Sequence, residues 1–215
     1  MSLRIDGTLR RGDLTLELDL DLPLGVTAIT GPNGAGKSSV LRLIAGLEAL
    51  DTGRLVIDGT VVDDRARSVF VPAEHRDVSM AFQQPRLFPH LTVLQNIAYP
   101  MRRQGHAAGE VVDLARPIAE RVGAGDLLDL RPRSLSGGQA QRTAIAVALA
   151  IGASTILLDE PLASIDETGT ADIRRLLHEL DTPRVVWVTH DPADALDADH
   201  QITLGLPGIS GVSDL

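Results

Sequence analysis

The sequence predicts an α/β fold in which helices cover a mixed sheet, with an antiparallel β subdomain near the start and an inserted helical subdomain in the middle. Three observations predict this fold. Residues 14–22 alternate leucine with polar residues, which is the period of two of a half-buried strand. A glycine-rich loop at residues 31–36 joins a β-branched apolar run to a helical pattern. Residues 92–133 then carry apolar residues mostly at helical spacing.

The composition is that of an ordinary globular protein, with 44% hydrophobic and 23% charged residues in a length of 215. This length fits one large domain or two closely joined small ones. The formal net charge is −9 without any block of lysines or arginines, so we expect no nucleic-acid partner. The chain has no cysteine, which excludes a disulfide framework and a thiolate zinc site.

We expect a cytoplasmic protein. The first residues lack the apolar core of a signal peptide. The longest apolar run, residues 144–151, is too short to span a bilayer. Any role at a membrane would therefore come through a partner.

The first third reads as strands around one loop. A turn at Gly12-Asp13 is expected to open the alternating strand. Residues 51–53 read as a turn, and residues 54–62 read as a second hairpin with an Asp58-Gly59 turn. Between them, a strand at residues 26–30 leads into the glycine-rich loop, and the helix after it is expected to end near Gly46.

The loop fits the phosphate-loop pattern G-x-x-x-x-G-K-[ST] and consists of Gly31, Pro32, Asn33, Gly34, Ala35, Gly36, Lys37, Ser38 and Ser39. Glycines let successive backbone N–H groups turn toward an anion, and the following helix directs its positive end at it. In this pattern Lys37 contacts the β- and γ-phosphates, and the Ser38 hydroxyl ligates Mg²⁺. The alternative is a glycine-rich turn that matches by chance. The strand–loop–helix context favours a P-loop NTPase core that binds a nucleotide.

The middle third reads as helical. A short buried strand is expected at residues 78–84, and Pro85 and Pro89 make the chain that follows a loop to about Leu91. Helical spacing then continues to about Arg133, interrupted near the glycines at 105–109 and 123–125. We therefore predict a helical subdomain of residues 85–150, inserted into a core formed by residues 1–84 and 151–215.

Two consecutive glycines stand at the start of the next predicted helix, in the run Leu135, Ser136, Gly137, Gly138 and Gln139. Ser136 is a natural N-cap for a helix that runs to about Ala150. Each glycine in a helix costs roughly 1 kcal/mol relative to alanine. The alternative is a simple cap and turn. The cost favours a second anion site with close backbone approach.

Acidic residues end the next buried strand, at Asp159 and Glu160. Because the run before them is apolar or β-branched, we expect Asp159 beside the phosphate loop, where it holds Mg²⁺ through water, and Glu160 as the group that polarises an attacking water. A solvated strand end is the alternative. A helix is expected at residues 172–180, opened by Thr170, and a last core strand at residues 185–189. His190 follows that strand and is predicted to contact the γ-phosphate, with a purely structural histidine as the alternative.

Together these motifs resemble the nucleotide-binding subunit of ATP-binding-cassette (ABC) transporters, and they occur in that family's order. The order is phosphate loop, glutamine loop (Gln83), signature (135–139), the Asp159-Glu160 strand end, a dimer-contact loop (Ala163, Ser164, Ile165 and Asp166) and a switch histidine (His190). The resemblance covers nearly the whole chain.

The resemblance implies an ATPase in which two copies, or two closely related subunits, meet head to tail. Each ATP then lies between one copy's phosphate loop and the other's Ser136–Gln139. In this arrangement Gln83 ligates Mg²⁺ or the attacking water, and Asp166 contributes to the nucleotide site. The loop after Gln83 transmits the motion to an integral-membrane permease that is served by an external substrate-binding protein. The protein would lie peripherally on the inner face of the cell membrane.

Two segments narrow the resemblance to importers. Residues 72–76 and 82–90 look like those of the importers of sugars, polyamines, iron, sulfate and other oxyanions, and the run from Arg86 to His90 is most like that of the molybdate importer ATPase. The exposed segment Leu87-Phe88-Pro89 is interpreted as a docking surface, with a packed loop as the alternative. Molybdate or another oxyanion is the candidate substrate.

The chain departs from the family pattern in several places. Residues 1–69 contain no aromatic residue to stack on adenine, so Thr8, Leu9, Arg10 or Arg11 would have to serve. Ala140, Val147 and Ile165 replace common family residues. Only 25 residues follow His190, so we expect no C-terminal regulatory domain.

Other classes of phosphate-loop protein fit the sequence less well. A soluble ABC protein acting on DNA or ribosomes would need fused cassettes or basic arms, and the signature disfavours a phosphate-loop kinase. A soluble or non-catalytic ABC-type ATP switch, not coupled to transport, is the main alternative.

Overall fold

The computed structural model describes residues 2–12, 14–181, 184–191 and 195–205. The chain forms two compact units. The first comprises Met1–Val78 and Pro183–Leu215, and the second comprises Ser79–Thr182. The subdomain boundaries at residues 85 and 150 stay a prediction.

The described ranges contain the following strands and α-helices. The strands are β1 (Leu3–Arg11), β2 (Leu14–Leu22), β3 (Gly25–Thr30), β4 (Thr52–Ile57), β5 (Thr60–Asp64), β6 (Val69–Phe70), β7 (Val78–Ala81), β8 (Thr155–Asp159), β9 (Arg184–Val188) and β10 (His200–Thr203). The helices are α1 (Lys37–Ile44), α2 (Val93–Arg103), α3 (Glu110–Arg121), α4 (Gly137–Leu149) and α5 (Glu167–His178).

The first unit contains an antiparallel sheet in the order β2-β1-β4-β5-β6. The predicted alternation is present: Leu16, Leu18, Leu20 and Leu22 are buried and the polar residues between them are exposed. The predicted second hairpin is confirmed, because Asp58 and Gly59 form its turn with φ of 47° and 83°, as a two-residue turn of this type requires. The turn predicted at Gly12-Asp13 includes Asp13, which lies outside the described residues.

The turn predicted at residues 51–53 is wrong, because Thr52 and Gly53 lie inside β4. Gly53 pairs with Gly7 of β1. A Cβ on Gly53, where φ is +88°, would collide with the backbone of Asp6. The glycine permits a close approach of two strands rather than a turn.

Parallel strands form the other sheet region of the first unit, with β3 between β9 and β10. The prediction that the strand at 185–189 is the last one is wrong, because β10 pairs in parallel with β3. Ile202 is the buried residue of this four-residue strand, so its sequence carries little hydrophobic signal. β3 leads directly into the loop that begins at Gly31.

The second unit contains α2 to α5, with β7 hydrogen-bonded to β8. Capping boxes start two helices: Thr92 with Gln95 begins α2, and Ser136 with Gln139 begins α4, as predicted for Ser136. The strand predicted at residues 78–84 ends earlier, at Ala81.

The helix predicted at residues 172–180 begins at Glu167 and ends at His178. Thr170 therefore lies inside it. The Asp166 side chain accepts a hydrogen bond from the Gly169 backbone N–H at 3.0 Å and caps the helix start.

The predicted fold class is confirmed: a phosphate-loop α/β core, an antiparallel β subdomain and a helical subdomain are present. Over the described part of the chain, no helix combines the length and the apolar character needed to cross a membrane.

Candidate functional site

The glycine-rich loop adopts a backbone that side chains would disrupt. Gly31, Gly34 and Gly36 have φ of 141°, 83° and 89°. A Cβ on Gly31 would also collide with the carbonyl oxygen of Leu204, the residue after β10. The backbone N–H of Ala35 donates to Pro32 at 3.2 Å and closes the turn. The loop is therefore fixed in a conformation that only glycine permits at these positions.

Lys37 begins α1 and is only 6% exposed. Its ammonium donates to the carbonyl oxygens of Gly31 at 2.7 Å and Pro32 at 3.0 Å. Ser38 and Ser39 are half-buried in the first turn of the same helix. One lysine charge, the helix N-terminus and a glycine backbone thus converge on one loop, which fits a phosphate group.

The other end of α1 is held by Arg76, which belongs to the importer-like segment 72–76. The guanidinium donates to the carbonyls of Leu43 at 2.6 Å and Ile44 at 3.0 Å, the last residues of the helix. It is 7% exposed, and burial lowers the pKa of Arg76 to about 10, while Asp63 opposes this shift. Arg76 therefore stays charged near neutral pH and stabilises the C-terminal end of the phosphate-loop helix.

Asp63 lies beside this arginine and is 2% exposed. Its Oδ2 accepts from the backbone N–H of Leu50 at 2.8 Å. Burial raises the pKa of the Asp63 carboxyl, whereas the Leu50 hydrogen bond and the Arg76 charge lower it.

In the second unit, β8 ends at Asp159, which is 4% exposed. Glu160 follows with φ of +48°, a conformation that costs a non-glycine residue about 1–2 kcal/mol. Gln83 donates its Nε2 hydrogen to Glu160 Oε2 at 2.9 Å. The structure therefore brings together two predicted site residues that are 77 positions apart.

The signature residues form a helix cap with close backbone contact. Ser136 Oγ accepts from the Gln139 N–H at 3.3 Å, and Gln139 Oε1 accepts from the Ser136 N–H at 2.9 Å. A Cβ on Gly138 would lie 2.6 Å from the carbonyl oxygen of Ser164. The helix cap is therefore present, and Gly138 additionally allows a close approach of the backbone at Ser164.

Arg142 was missed by the sequence analysis. Its Nη2 donates to Asp166 Oδ1 at 2.8 Å. A single arginine in an alanine-rich helix was the available signal, but its partner is 24 residues away and follows no local pattern.

The remaining predicted residue, His190, is exposed and lies two residues beyond β9. Lys37 and His190 belong to the first unit, and Gln83, Ser136–Gln139, Asp159, Glu160 and Asp166 belong to the second. Of the residues considered for adenine stacking, Leu9 is 1% exposed and is buried in the core. Arg11 forms an ion pair with Glu48 at 3.1 Å, and Arg10 is exposed.

The comparison with known families decides the class. The family profile described as ABC transporter matches residues 16–163, more than half of the chain. The chain belongs to the ABC transporter family. The resemblance inferred from the motifs is confirmed.

Relatives within the ABC transporter family include importer subunits. The molybdenum import ATP-binding protein ModC of Methylococcus capsulatus is 44% identical over 88% of this chain and 53% of its own length. The trehalose/maltose import ATP-binding protein MalK of Thermococcus litoralis is 36% identical over 90% of this chain and 53% of its own length. The chain thus spans about half the length of the curated relatives it matches.

Solved structures agree with the fold. The dimeric, post-hydrolysis state of the ATP-binding cassette MJ0796, bound to ADP and Pi, is 27% identical with a TM-score of 0.82. The alignment covers 100% of this chain and 98% of that chain.

Proposed function

We propose that this chain is the ATP-binding subunit of an ABC importer, which hydrolyses ATP in a head-to-tail dimer to drive uptake through a membrane permease. The observation that carries the proposal is the phosphate loop: glycines with positive φ, the buried Lys37 ammonium and the start of α1 meet at one place. Family membership and the names of the importer relatives support the same activity.

The chemistry of the residues fits ATP with Mg²⁺. Residues 31–39 would hold the β- and γ-phosphates. Ser38, Gln83 and Asp159 offer hydroxyl, amide and carboxylate oxygens, the ligands that Mg²⁺ prefers. Because Gln83 uses its Nε2 to reach Glu160, its carbonyl oxygen is left for a cation or water. When bound, Mg²⁺ neutralises charge that develops on the phosphates.

The proposed catalytic roles follow from the side chains. Glu160 polarises the attacking water, and the Gln83 hydrogen bond orients its carboxylate. Lys37 stabilises negative charge on the phosphates, and His190 contacts the γ-phosphate. Ser136–Gln139 and Asp166 act on the nucleotide of the second copy, so that ATP joins two copies and hydrolysis releases them.

The proposed permease contact is the loop after Gln83. Phe88 is 42% exposed and Tyr99 is 41% exposed, with ring centroids 4.7 Å apart. The buried Asn96 fixes this loop, because its Oδ1 accepts from the Phe88 N–H at 2.8 Å and its Nδ2 donates to Thr92 at 2.9 Å. An exposed aromatic pair, with Phe88 on this loop and Tyr99 on α2, is suited to a protein partner. The subunit would then lie peripherally on the inner membrane face, and molybdate or another oxyanion is the proposed cargo, after the ModC relatives.

The test is the mass in solution of the Glu160→Gln protein, measured with Mg²⁺-free ATP and then with ADP. We expect a dimer with ATP and a monomer with ADP. A monomer that binds ATP would favour the alternative of an ATP switch without catalysis. A protein that binds no nucleotide would overturn the proposal.

A further inference from the structure

We propose that Arg142 is a positioning residue that joins the signature turn (residues 135–139) to the dimer-contact loop (residues 163–166), so that both meet a second copy of this chain as one surface. This inference rests on the proposed function, because it concerns the dimer in which ATP is hydrolysed. It is carried by two independent contacts between these segments.

The first contact is a close backbone approach. A Cβ on Gly138 would lie 2.6 Å from the Ser164 carbonyl oxygen and 3.7 Å from the Ile165 Cα. A Cβ on Gly137 would touch the Ser164 side chain at 3.7 Å. Ser136, Gly137 and Ser164 are exposed, so the two segments present neighbouring surfaces to solvent.

The second contact is the ion pair. Arg142 lies on α4 and donates to Asp166 Oδ1 at 2.8 Å. The same oxygen accepts from the Gly169 N–H at 3.0 Å and caps α5. One carboxylate oxygen therefore connects the helix that follows the signature to the start of the helix that follows the dimer-contact loop.

Two glycines leave space for the Arg142 guanidinium. A Cβ on Gly169 would collide with Arg142 Nη2, and a Cβ on Gly123 would lie 2.8 Å from Nη1. These glycines come from α5 and from the segment after α3, far apart in sequence. Because both positions leave room for the arginine, its place is built by the fold and is more than a chance surface contact.

The ion pair contributes little to folding stability, because the Asp166 side chain is 75% exposed and exposed pairs are weak. The Arg142 side chain is only 22% exposed and its geometry is fixed. We therefore assign the contact a role in orientation: it holds the signature turn and the dimer-contact loop at one relative position. A dimer that binds both segments at once gains from this preorganisation.

The experiment measures dimer formation against ATP concentration by light scattering, in a Glu160→Gln background without Mg²⁺. Arg142→Gln removes the ion pair, and Asp166→Asn keeps an oxygen that can cap α5 while it removes the charge. The control is Arg175→Gln. Arg175 and Arg142 both line a cavity of about 200 Å³, and the ion pair of Arg175 with Asp172 is exposed and longer, at 3.7 Å. ATP affinity is measured separately by filter binding at protein concentrations too low for dimers.

We expect Arg142→Gln to raise the ATP concentration for half-maximal dimer formation about tenfold, because the two segments are no longer held at the one relative position that the second copy binds. ATP affinity of the monomer and the unfolding midpoint should change little, and Arg175→Gln should behave like the parent. In the Asp166→Asn background, Arg142→Gln should have little further effect, because Arg142 acts through the Asp166 carboxylate.

Two results overturn the inference. If the parent forms dimers and Arg142→Gln forms them at the same ATP concentration, the proposed function stands and the positioning role fails. If dimer formation and monomer ATP affinity fall together in both Arg142→Gln and Asp166→Asn, the ion pair is merely structural. A parent that never forms dimers would overturn the proposed function, and the inference falls with it.

Discussion

Gln83 and Glu160 are joined side chain to side chain, with Gln83 Nε2 donating to Glu160 Oε2 at 2.9 Å. Glu160 sits in a left-handed conformation, so its carboxylate is aimed by both its backbone and this hydrogen bond. The contact links the loop that carries Phe88 to the carboxylate proposed to activate water. Movement of that loop would therefore reach the catalytic group directly.

Replacing Gln83 with alanine should slow ATP hydrolysis about tenfold or more, because the carboxylate loses the donor that orients it. The fold-change in ATP affinity should be smaller than the fold-change in the turnover number. The matched control is Gln84→Ala, since Gln84 is its exposed neighbour. Equal turnover in Gln83→Ala and Gln84→Ala, measured by phosphate release, would show that the hydrogen bond has no role in catalysis.

Substitutions of Lys37 and Glu160 should have different effects on ATP binding and on ATP hydrolysis. Lys37→Ala removes the charge held at the loop, so both ATP binding and hydrolysis should be lost. Glu160→Gln should keep ATP binding and slow hydrolysis by about 10²- to 10⁴-fold, the range for loss of a general base. Binding is measured by filter retention of radiolabelled ATP and hydrolysis by phosphate release. Comparable turnover in Glu160→Gln and the natural protein would remove the general-base role.

Gly31→Ala should abolish ATP binding, because φ is +141° there and the new methyl group would meet the Leu204 carbonyl oxygen. The control is Gly109→Ala, where φ is −74° and a Cβ would have no atom within 4 Å. That variant should bind ATP normally and unfold at an equal or higher denaturant concentration. ATP binding by Gly31→Ala at natural affinity would mean that the loop tolerates a different backbone.

The buried carboxyl of Asp63 should give a pH dependence of defined sign. Because its pKa is raised in the folded protein, its contribution to stability is fully present below its unfolded pKa and is lost as the pH rises through the folded pKa. The stability of the natural protein relative to Asp63→Asn should therefore increase as the pH falls from about 7 to about 4.

The measurement is the urea midpoint of both proteins at each pH. Asp19→Asn, which removes an exposed carboxylate, controls for the change in net charge. A stability of the natural protein relative to Asp63→Asn that stays constant or decreases on acidification would contradict the raised pKa.

The sequence by itself determined the features that a few neighbouring residues encode. The glycines of residues 31–36, the Ser136 helix cap and the Asp58-Gly59 turn all follow from local backbone preference, and the structure contains each of them. The alternation of residues 14–22 likewise fixed one buried face of β2. These features were predictable because their physics acts over four residues or over one strand.

The tertiary structure decided what depends on distant partners. The sequence around Gly53 is typical of a turn, but pairing with Gly7 places this glycine in a strand. The sequence of β10 carries too little hydrophobic signal to predict a strand, and its pairing with β3 defines it. Arg142 could be assigned a partner only once Gly169 and Asp166 lay against it. Local patterns encode backbone conformation and burial, but which side chains meet is set by how the elements pack, and no spacing rule within the chain contains that information.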